Sequence, residues 1–219
     1  MLIKGSSFDW LKNRSSRVQG LLFATLAVFP FLLCACSEQG AENEYDDWEQ
    51  KNVTYIDSIA KVAQANADGS WTIYKAYTLG DSTQLYNGQN SRFIYVQKLK
   101  SGSGTASPLY TESVRVHYTG HLIPSKTYAQ GYNFDKSFAG EELNTDTDVP
   151  SLLSVSSTVV GFATALQYMK VGDRWKVYIP YQLGYGTTTT TKIPAYSTLI
   201  FDMTLARIYA SDADDTEWY

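Results

Sequence analysis

Few side chains in this sequence could carry out covalent chemistry. The two histidines, His117 and His121, alternate with apolar residues in a strand-like run, so we expect both to face solvent. No Ser-His-Asp arrangement is evident, and two histidines near carboxylates do not make a metal site, so no metal is expected. The sequence is instead rich in tyrosine, with 17 residues of this type. Each combines apolar area with a hydroxyl, which suits half-buried strands and binding surfaces.

Tyr185 stands between two glycines in the segment YIPYQLGYGTTTTTKIPAYSTLIFD, residues 178–202. Gly184 and Gly186 give the backbone freedom to aim the tyrosine, which we expect to end a strand. Five threonines follow before Ile193 and Pro194. The sequence leaves two interpretations of them open, namely the tip of a loop that helps to choose substrates and a solvated low-complexity linker.

The segments that must position these residues show a two-residue period from Phe93 onward. Apolar and polar side chains alternate in FIYVQKL, SVRVHYTG, RWKVYIP and TLIFDMTLARI, which predicts strands with one buried face. One segment has a helical period instead: apolar residues recur at i, i+3, i+4 and i+7 from Phe162, and Gly172 follows as a stop. The pattern predicts an α+β domain in which one short helix crosses an antiparallel sheet.

A second helix is predicted upstream, over about residues 48–66, where Asp68 and Gly69 mark its end. A single amphipathic helix cannot bury its apolar stripe alone, so it is expected to dock on the following domain or on a partner. The predicted apolar face consists of Trp48, Tyr55, Ile56, Ile59, Ala60 and Ala63.

The chain begins with a basic segment and an apolar run of roughly 16 residues, short for a bilayer span and typical of a signal peptide. The run ends in Leu33-Cys34-Ala35-Cys36, which resembles the lipobox of bacterial lipoproteins. That resemblance implies lipidation of Cys36 and a location in the cell envelope, at a membrane. A membrane anchor with two incidental cysteines is the alternative.

The predicted organisation has five parts. They are a signal peptide over residues 1–35, an acidic tether over 36–50, a helical extension over 51–92, the α+β domain over 93–209 and an acidic tail over 210–219. The net charge of −4 argues against a nucleic-acid partner, which would require a basic surface.

Several short motifs together resemble the FKBP-type peptidyl-prolyl cis-trans isomerases. The resemblance implies a half-open antiparallel β-sheet wrapped around one short α-helix, with an apolar pocket between them that isomerises X-Pro bonds without a cofactor. The matching pieces stand in the family's order over about residues 93–209 and are Val116-His117-Tyr118-Thr119-Gly120, Phe134-Asp135, Gly161-Phe162, Gly172-Asp173, Ile179-Pro180, Tyr185-Gly186, Ile193-Pro194 and Ser197-Thr198-Leu199-Ile200-Phe201-Asp202.

The resemblance also implies which residues serve the site. Asp135 would be the pocket's carboxylate, the N–H of Val159 would bond the ligand, and the Tyr185 hydroxyl would reach a substrate carbonyl. The pocket walls and floor would be Tyr118, Phe134, Phe162, Ile193 and Phe201. Without the resemblance the buried aromatic residues would be read as core, Tyr118 as an ordinary strand residue and Asp135 as the cap of a turn.

Three features depart from the family's usual pattern and put turnover in question. The loop over residues 121–133 is longer, the segment VPSLLSV offers only aliphatic side chains, and Phe162 replaces the usual tryptophan. The leading hypothesis is a lipid-anchored isomerase acting on proline-containing segments of cell-envelope proteins. The alternatives are a catalytically weak peptide-binding or chaperone module and a structural component of a surface complex. The sequence leaves the clients, the oligomeric state and the role of the upstream helix open.

Overall fold

The computed structural model describes residues 43–80, 89–145 and 147–211. Its helices are α1 (Trp48–Ala65) and α2 (Val160–Tyr168). Its strands are β1 (Trp71–Lys75), β2 (Phe93–Lys100), β3 (Ser113–His121), β4 (Asn133–Lys136), β5 (Ser151–Ser154), β6 (Arg174–Ile179) and β7 (Leu199–Tyr209). No helix in these ranges combines the length and apolar character needed to cross a membrane.

All seven strands belong to one antiparallel sheet. Six of them follow the order β1-β2-β6-β7-β3-β4, and β5 lies off this path. β5 pairs with the first part of β3 and β4 with its last part, so two short strands share one edge of β3. Register shifts next to Val116 and His121 mark bulges that curve the sheet. The predicted α+β class, with an antiparallel sheet around one short helix and a helix before it, is confirmed.

α2 lies directly against the sheet because the residue at the contact, Gly161, has no side chain. A Cβ added at Gly161 would lie 2.2 Å from Cγ2 of Ile179, so only glycine permits this approach. The helix is buried from Gly161 to Leu166 and ends when the N–H of Met169 bonds the carbonyls of Ala165 and Leu166. This close packing fixes where the following residue, Phe162, meets the sheet.

α1 docks on the same domain, as predicted. Its buried residues are Trp48, Asn52, Ile56, Ala60 and Ala63, while the predicted Tyr55 and Ile59 are only partly covered. The stripe contacts β1, β2 and β6. The sequence pattern did not identify Asn52, a polar residue that is completely buried.

β1 lies inside the range assigned to a helical extension and pairs with β2, so the sheet includes residues before 93. α1 begins at Trp48, where the predicted helix begins, and Glu44 in the predicted tether bonds Thr127. The predicted signal peptide, Cys36 and residues 212–219 of the tail lie outside the described residues.

Candidate functional site

Four aromatic rings from four different elements meet between α2 and the sheet. The Phe162 and Phe201 ring centroids are 4.9 Å apart, and Tyr118 lies 5.9 Å from the first and 6.1 Å from the second. Phe134 adds a contact of 5.5 Å to Phe201. All four pairs are edge-to-face, the arrangement that aromatic quadrupoles favour. We call Tyr118, Phe134, Phe162 and Phe201 the aromatic cluster.

Gly120 on β3 allows these rings to approach. A Cβ at this position would lie 2.6 Å from Cε2 and Cζ of Phe134 and 2.8 Å from Cε1 of Phe201. No positive φ is involved, so the requirement for glycine is steric. Sequence reasoning quoted Gly120 only as part of a motif. Its pairing opposite both Asp135 and Phe201 is what gives it this role.

The polar part of the site lies at the rim of the aromatic cluster. The Tyr118 hydroxyl donates a 2.8 Å hydrogen bond to Oδ2 of Asp135, and Oδ1 of that carboxylate accepts the N–H of Lys136 at 2.9 Å. Asp135 itself is exposed. Burial raises the pKa of Tyr118, and the carboxylate raises it further, so the phenol stays protonated at neutral pH. A fixed carboxylate therefore faces solvent beside a half-buried ring.

Val159 is the residue immediately before α2, with extended backbone angles of φ −61 and ψ 152. Its carbonyl accepts the N–H of Ala163 at 2.9 Å. Its own N–H has no hydrogen-bond partner among the described residues.

Tyr185 does not end a strand, contrary to expectation. It lies in a turn after the short helical segment Tyr181–Leu183, and the turn is closed by a 2.8 Å bond from the Gly186 N–H to the Tyr181 carbonyl. Gly186 has φ 63, which explains the second glycine of the motif. The Tyr185 side chain is 44% exposed and lies outside the aromatic cluster, although it contributes to the raised pKa of Tyr118.

The threonine segment is mostly exposed, and two of its side chains bond the backbone of the residues that follow. Oγ1 of Thr190 accepts the backbone N–H of Ile193 at 3.0 Å, and Oγ1 of Thr189 accepts that of Ala195 at 3.1 Å. Lys192 donates a 3.1 Å bond to the carbonyl of Phe134, which sequence reasoning did not anticipate. These bonds connect the loop to Ile193, which is 5% exposed, and to the backbone of β4.

β5 and the segment after it supply aliphatic side chains, as the sequence suggested. Val155 is completely buried, Leu153 packs partly against the core, and Leu152 is 41% exposed.

His117 was expected to face solvent, and this prediction is wrong. The side chain is 4% exposed, and its Nδ1 is buried without a hydrogen-bond partner. It lies on the sheet face opposite to the ring of Tyr118, where Phe138 and Leu143 help to line a cavity of about 540 Å³ around it. Burial lowers the pKa of His117, while Asp148 acts in the opposite direction.

His121 is also not freely exposed. It is half-buried, and Nε2 lies 3.2 Å from the side-chain nitrogen of Asn133. Burial is the main cause that lowers its pKa, with Lys176 adding to the effect. Over the described ranges, no group of three or more His, Cys, Asp or Glu side chains has the arrangement of a metal site.

Comparison with known proteins finds similarity to one family of isomerases. The model of the family described as FKBP-type peptidyl-prolyl cis-trans isomerase matches residues 104–206. A macrophage infectivity potentiator of Trypanosoma cruzi is 28% identical over 197 residues, which are 90% of this chain and 86% of that protein. The FKBP-type 22 kDa peptidyl-prolyl cis-trans isomerase of Escherichia coli is 38% identical over 111 residues, 50% of this chain and 47% of that protein.

Two solved structures have a similar fold. FkpA from Escherichia coli matches with a TM-score of 0.53 and 25% identity, over 76% of this chain and 61% of that one. A peptidyl-prolyl cis-trans isomerase from Pseudomonas syringae matches with a TM-score of 0.50 and 20% identity, over 78% of this chain and all of that one. The chain thus spans less than half of the 22 kDa relative but most of the trypanosome protein. Residues 104–206 are thus similar to the FKBP-type peptidyl-prolyl cis-trans isomerase family in sequence, and the fold resembles that of solved isomerases.

Proposed function

We propose that the chain isomerises X-Pro bonds in proline-containing segments of cell-envelope proteins, from a lipid anchor at Cys36. The observation that carries the proposal is the aromatic cluster, with a fixed carboxylate at its rim and an available N–H at Val159. An apolar recess with few polar groups suits a proline ring and its amide better than it suits a charged substrate.

The reaction itself needs no covalent catalyst. Resonance in the C–N bond sets a barrier of roughly 18–20 kcal/mol to rotation. The planar amide is more polar than the twisted one, so moving it from water onto the rings of Phe162 and Phe201 destabilises the ground state more than the transition state. Each ~1.36 kcal/mol of this difference gives a tenfold acceleration.

The polar residues contribute by position. In the proposed complex the Val159 N–H and the Tyr185 hydroxyl bond substrate carbonyls and hold the chain on both sides of the proline. Asp135 is held by the Tyr118 hydroxyl, so its negative charge stays next to the rotating amide. There it repels the carbonyl oxygen, whose partial negative charge is larger in the planar state. Ile193 and Phe134 complete the apolar wall.

The proposal is tested by refolding of a substrate protein limited by proline isomerisation, with the full-length chain added as catalyst. We expect acceleration at micromolar protein, and a reduction of kcat/KM by about tenfold in Asp135→Ala and severalfold in Tyr185→Phe. Tyr168→Phe is the matched control, because Tyr168 is 47% exposed and stacks on Tyr74 outside the site. An unaccelerated refolding rate, or equal rates for all variants, rules out the enzyme proposal.

A second candidate is a peptide-binding module with little turnover. The aliphatic character of Leu152, Leu153 and Val155 favours it, because this side of the pocket contributes no ring to desolvate the amide. Titration of the chain with a proline-containing peptide, measured beside the refolding rate, separates the two. Binding without acceleration supports the module.

Membrane attachment has its own test. Metabolic labelling with a fatty acid and fractionation of cells expressing the full chain should place it in the membrane fraction, and Cys36→Ala should release it. Cys34→Ala is the matched control. Attachment that persists in Cys36→Ala contradicts the lipid anchor and leaves the isomerase proposal unaffected.

A further inference from the structure

We propose that α1, together with Glu44 just before it, is a positioning element of the isomerase pocket, because these residues fasten the two irregular segments that lead into β4 and β7. The inference rests on the proposed function. The first segment, residues 193–198, runs from the pocket residue Ile193 into β7, which carries Phe201. The second, residues 122–132, runs from the end of β3 into β4, which carries Phe134 and Asp135.

Trp48, at the first turn of α1, makes one connection to residues 193–198. Its indole N–H donates a buried 2.8 Å hydrogen bond to Oγ of Ser197, and that hydroxyl donates at 2.7 Å to the carbonyl of Pro194. Trp48 and Ser197 are 6% and 3% exposed, so water does not compete for this chain of bonds. The edge of Trp48 is in turn held by Tyr45, with ring centroids 5.0 Å apart.

Asn52, one turn later, makes the other connection. Its Oδ1 accepts the backbone N–H of Thr198 at 2.7 Å, and its Nδ2 donates to the carbonyl of Trp48 at 2.7 Å. Asn52 is completely buried and Thr198 is 1% exposed. The sheet ladder begins only at Leu199, so α1 supplies the partner that the backbone of Thr198 needs.

Glu44, just before α1, reaches the second segment. Its carboxylate accepts the backbone N–H of Thr127 at 3.2 Å and also the hydroxyl of Thr127. Hydrogen bonds from Ser125 and Thr127 lower the pKa of Glu44, so the bonding form is the one present at neutral pH. Residues 44–52, at and just before the start of α1, therefore contact both segments.

This arrangement affects catalysis because the reaction depends on placement alone. A catalytic group or wall displaced by 1 Å can cost a large part of the rate, even when the change lies far from the substrate. A released segment 193–198 would let Ile193 and the start of β7 move relative to Phe162. Binding and turnover should then both weaken, without loss of any residue that touches the substrate.

The test uses Trp48→Phe, which removes the indole donor but keeps a ring, and Asn52→Leu, which removes both amide bonds at similar volume. Each should lower kcat/KM on a chromogenic X-Pro peptide by about fivefold, the factor that corresponds to one buried hydrogen bond. Each should also speed hydrogen exchange of the amides in residues 193–201, with Thr198 affected most. Ala60→Gly is the matched control: it destabilises the same helix, should lower Tm and should leave both readouts unchanged.

Ser197→Ala tests the same contact from the loop side, so the proposal stays testable even if Trp48→Phe does not fold. Ser197→Thr keeps the hydroxyl and should retain wild-type behaviour. Unchanged kcat/KM and exchange in Trp48→Phe, Asn52→Leu and Ser197→Ala would overturn the inference, and so would an equal loss in Ala60→Gly. If the wild-type chain binds the peptide without accelerating isomerisation, the proposed function fails. The dissociation constant of that peptide then replaces kcat/KM, and an unchanged constant in the variants overturns the positioning role.

Discussion

Gly120 offers the sharpest test of the aromatic cluster, because one added methyl group meets two of its rings at once. In Gly120→Ala the new Cβ would start 2.6 Å from Phe134 and 2.8 Å from Phe201, whereas ordinary contact begins near 3.4 Å. The two rings must therefore retreat by about 0.8 and 0.6 Å. Overpacking of this kind costs about 1–3 kcal/mol of unfolding free energy.

The same displacement should lower kcat/KM by a larger factor than the loss in unfolding free energy alone would suggest. Phe201 contacts both Tyr118 and Phe162, so its movement changes the aromatic cluster that receives the proline ring in the proposed function. A wall displaced by nearly 1 Å predicts a fall in kcat/KM of roughly ten- to hundredfold. The measurement is initial rates on an X-Pro peptide, at a temperature at least 15 °C below the Tm of the variant.

Gly69→Ala is the control for this experiment. Gly69 has φ +72 and nothing within 4 Å of an added Cβ, so alanine there costs about 1–2 kcal/mol through backbone strain alone. Its kcat/KM should stay at the wild-type value while its Tm falls. The reasoning is refuted if Gly120→Ala loses stability as expected but keeps kcat/KM within twofold of wild type.

Three further predictions concern single side chains. Tyr118→Phe removes the hydrogen bond to Asp135 at the pocket rim and should lower kcat/KM severalfold. The unfolding free energy should change by less than about 1 kcal/mol. A change in stability without a change in rate would count against the role of the carboxylate. Burial lowers the pKa of His117 below its usual 6.5, so on acidification the unfolded chain takes up this proton at a higher pH than the folded chain does. The free energy of unfolding should therefore fall as pH drops through about 6.5 towards 5. In His117→Leu the urea unfolding midpoint should depend less on pH between pH 7.5 and 5. An unaltered pH dependence would mean that other groups cause it. Arg174→Ala breaks the ion pair with Asp202, whose side chains are 55% and 31% exposed, and should shift the unfolding free energy by at most about 1 kcal/mol, with 1 M salt removing the difference.

The sheet and α2 could be predicted from the sequence because their signals are local. Apolar alternation in β2, β3, β6 and β7 follows from strands that bury one face, and each of these strands is long enough to show it. β1 gives no such signal, because all five of its residues are half-buried at the edge of the sheet. Its assignment depends on pairing with β2, which is not encoded within β1 itself.

The site was predictable only through the family motifs. Nothing in the local sequence distinguishes Phe162 or Phe201 from ordinary core residues, since both are almost fully buried. Asn52 could not be found this way, because its bonding partner Thr198 lies 146 residues along the chain. His117 was misplaced for a related reason: alternation puts it on the outer face of β3, and only the tertiary structure shows that this face is covered.

Because the reaction breaks no covalent bond, catalysis depends entirely on where the rings and dipoles are placed. Leu152, Leu153 and Val155 contribute no aromatic ring, so in the proposed function the rings of the aromatic cluster must exclude water with correspondingly little freedom. The regular sheet fixes Phe201, and the close contact of Gly161 with Ile179 fixes α2. The irregular segments lie outside this ladder, and some of the side chains that hold them come from α1 and from Glu44, outside the residues that match the family model. Removing the N-terminal helix to obtain a minimal domain should therefore remove part of the support of these segments, which the proposed positioning role requires.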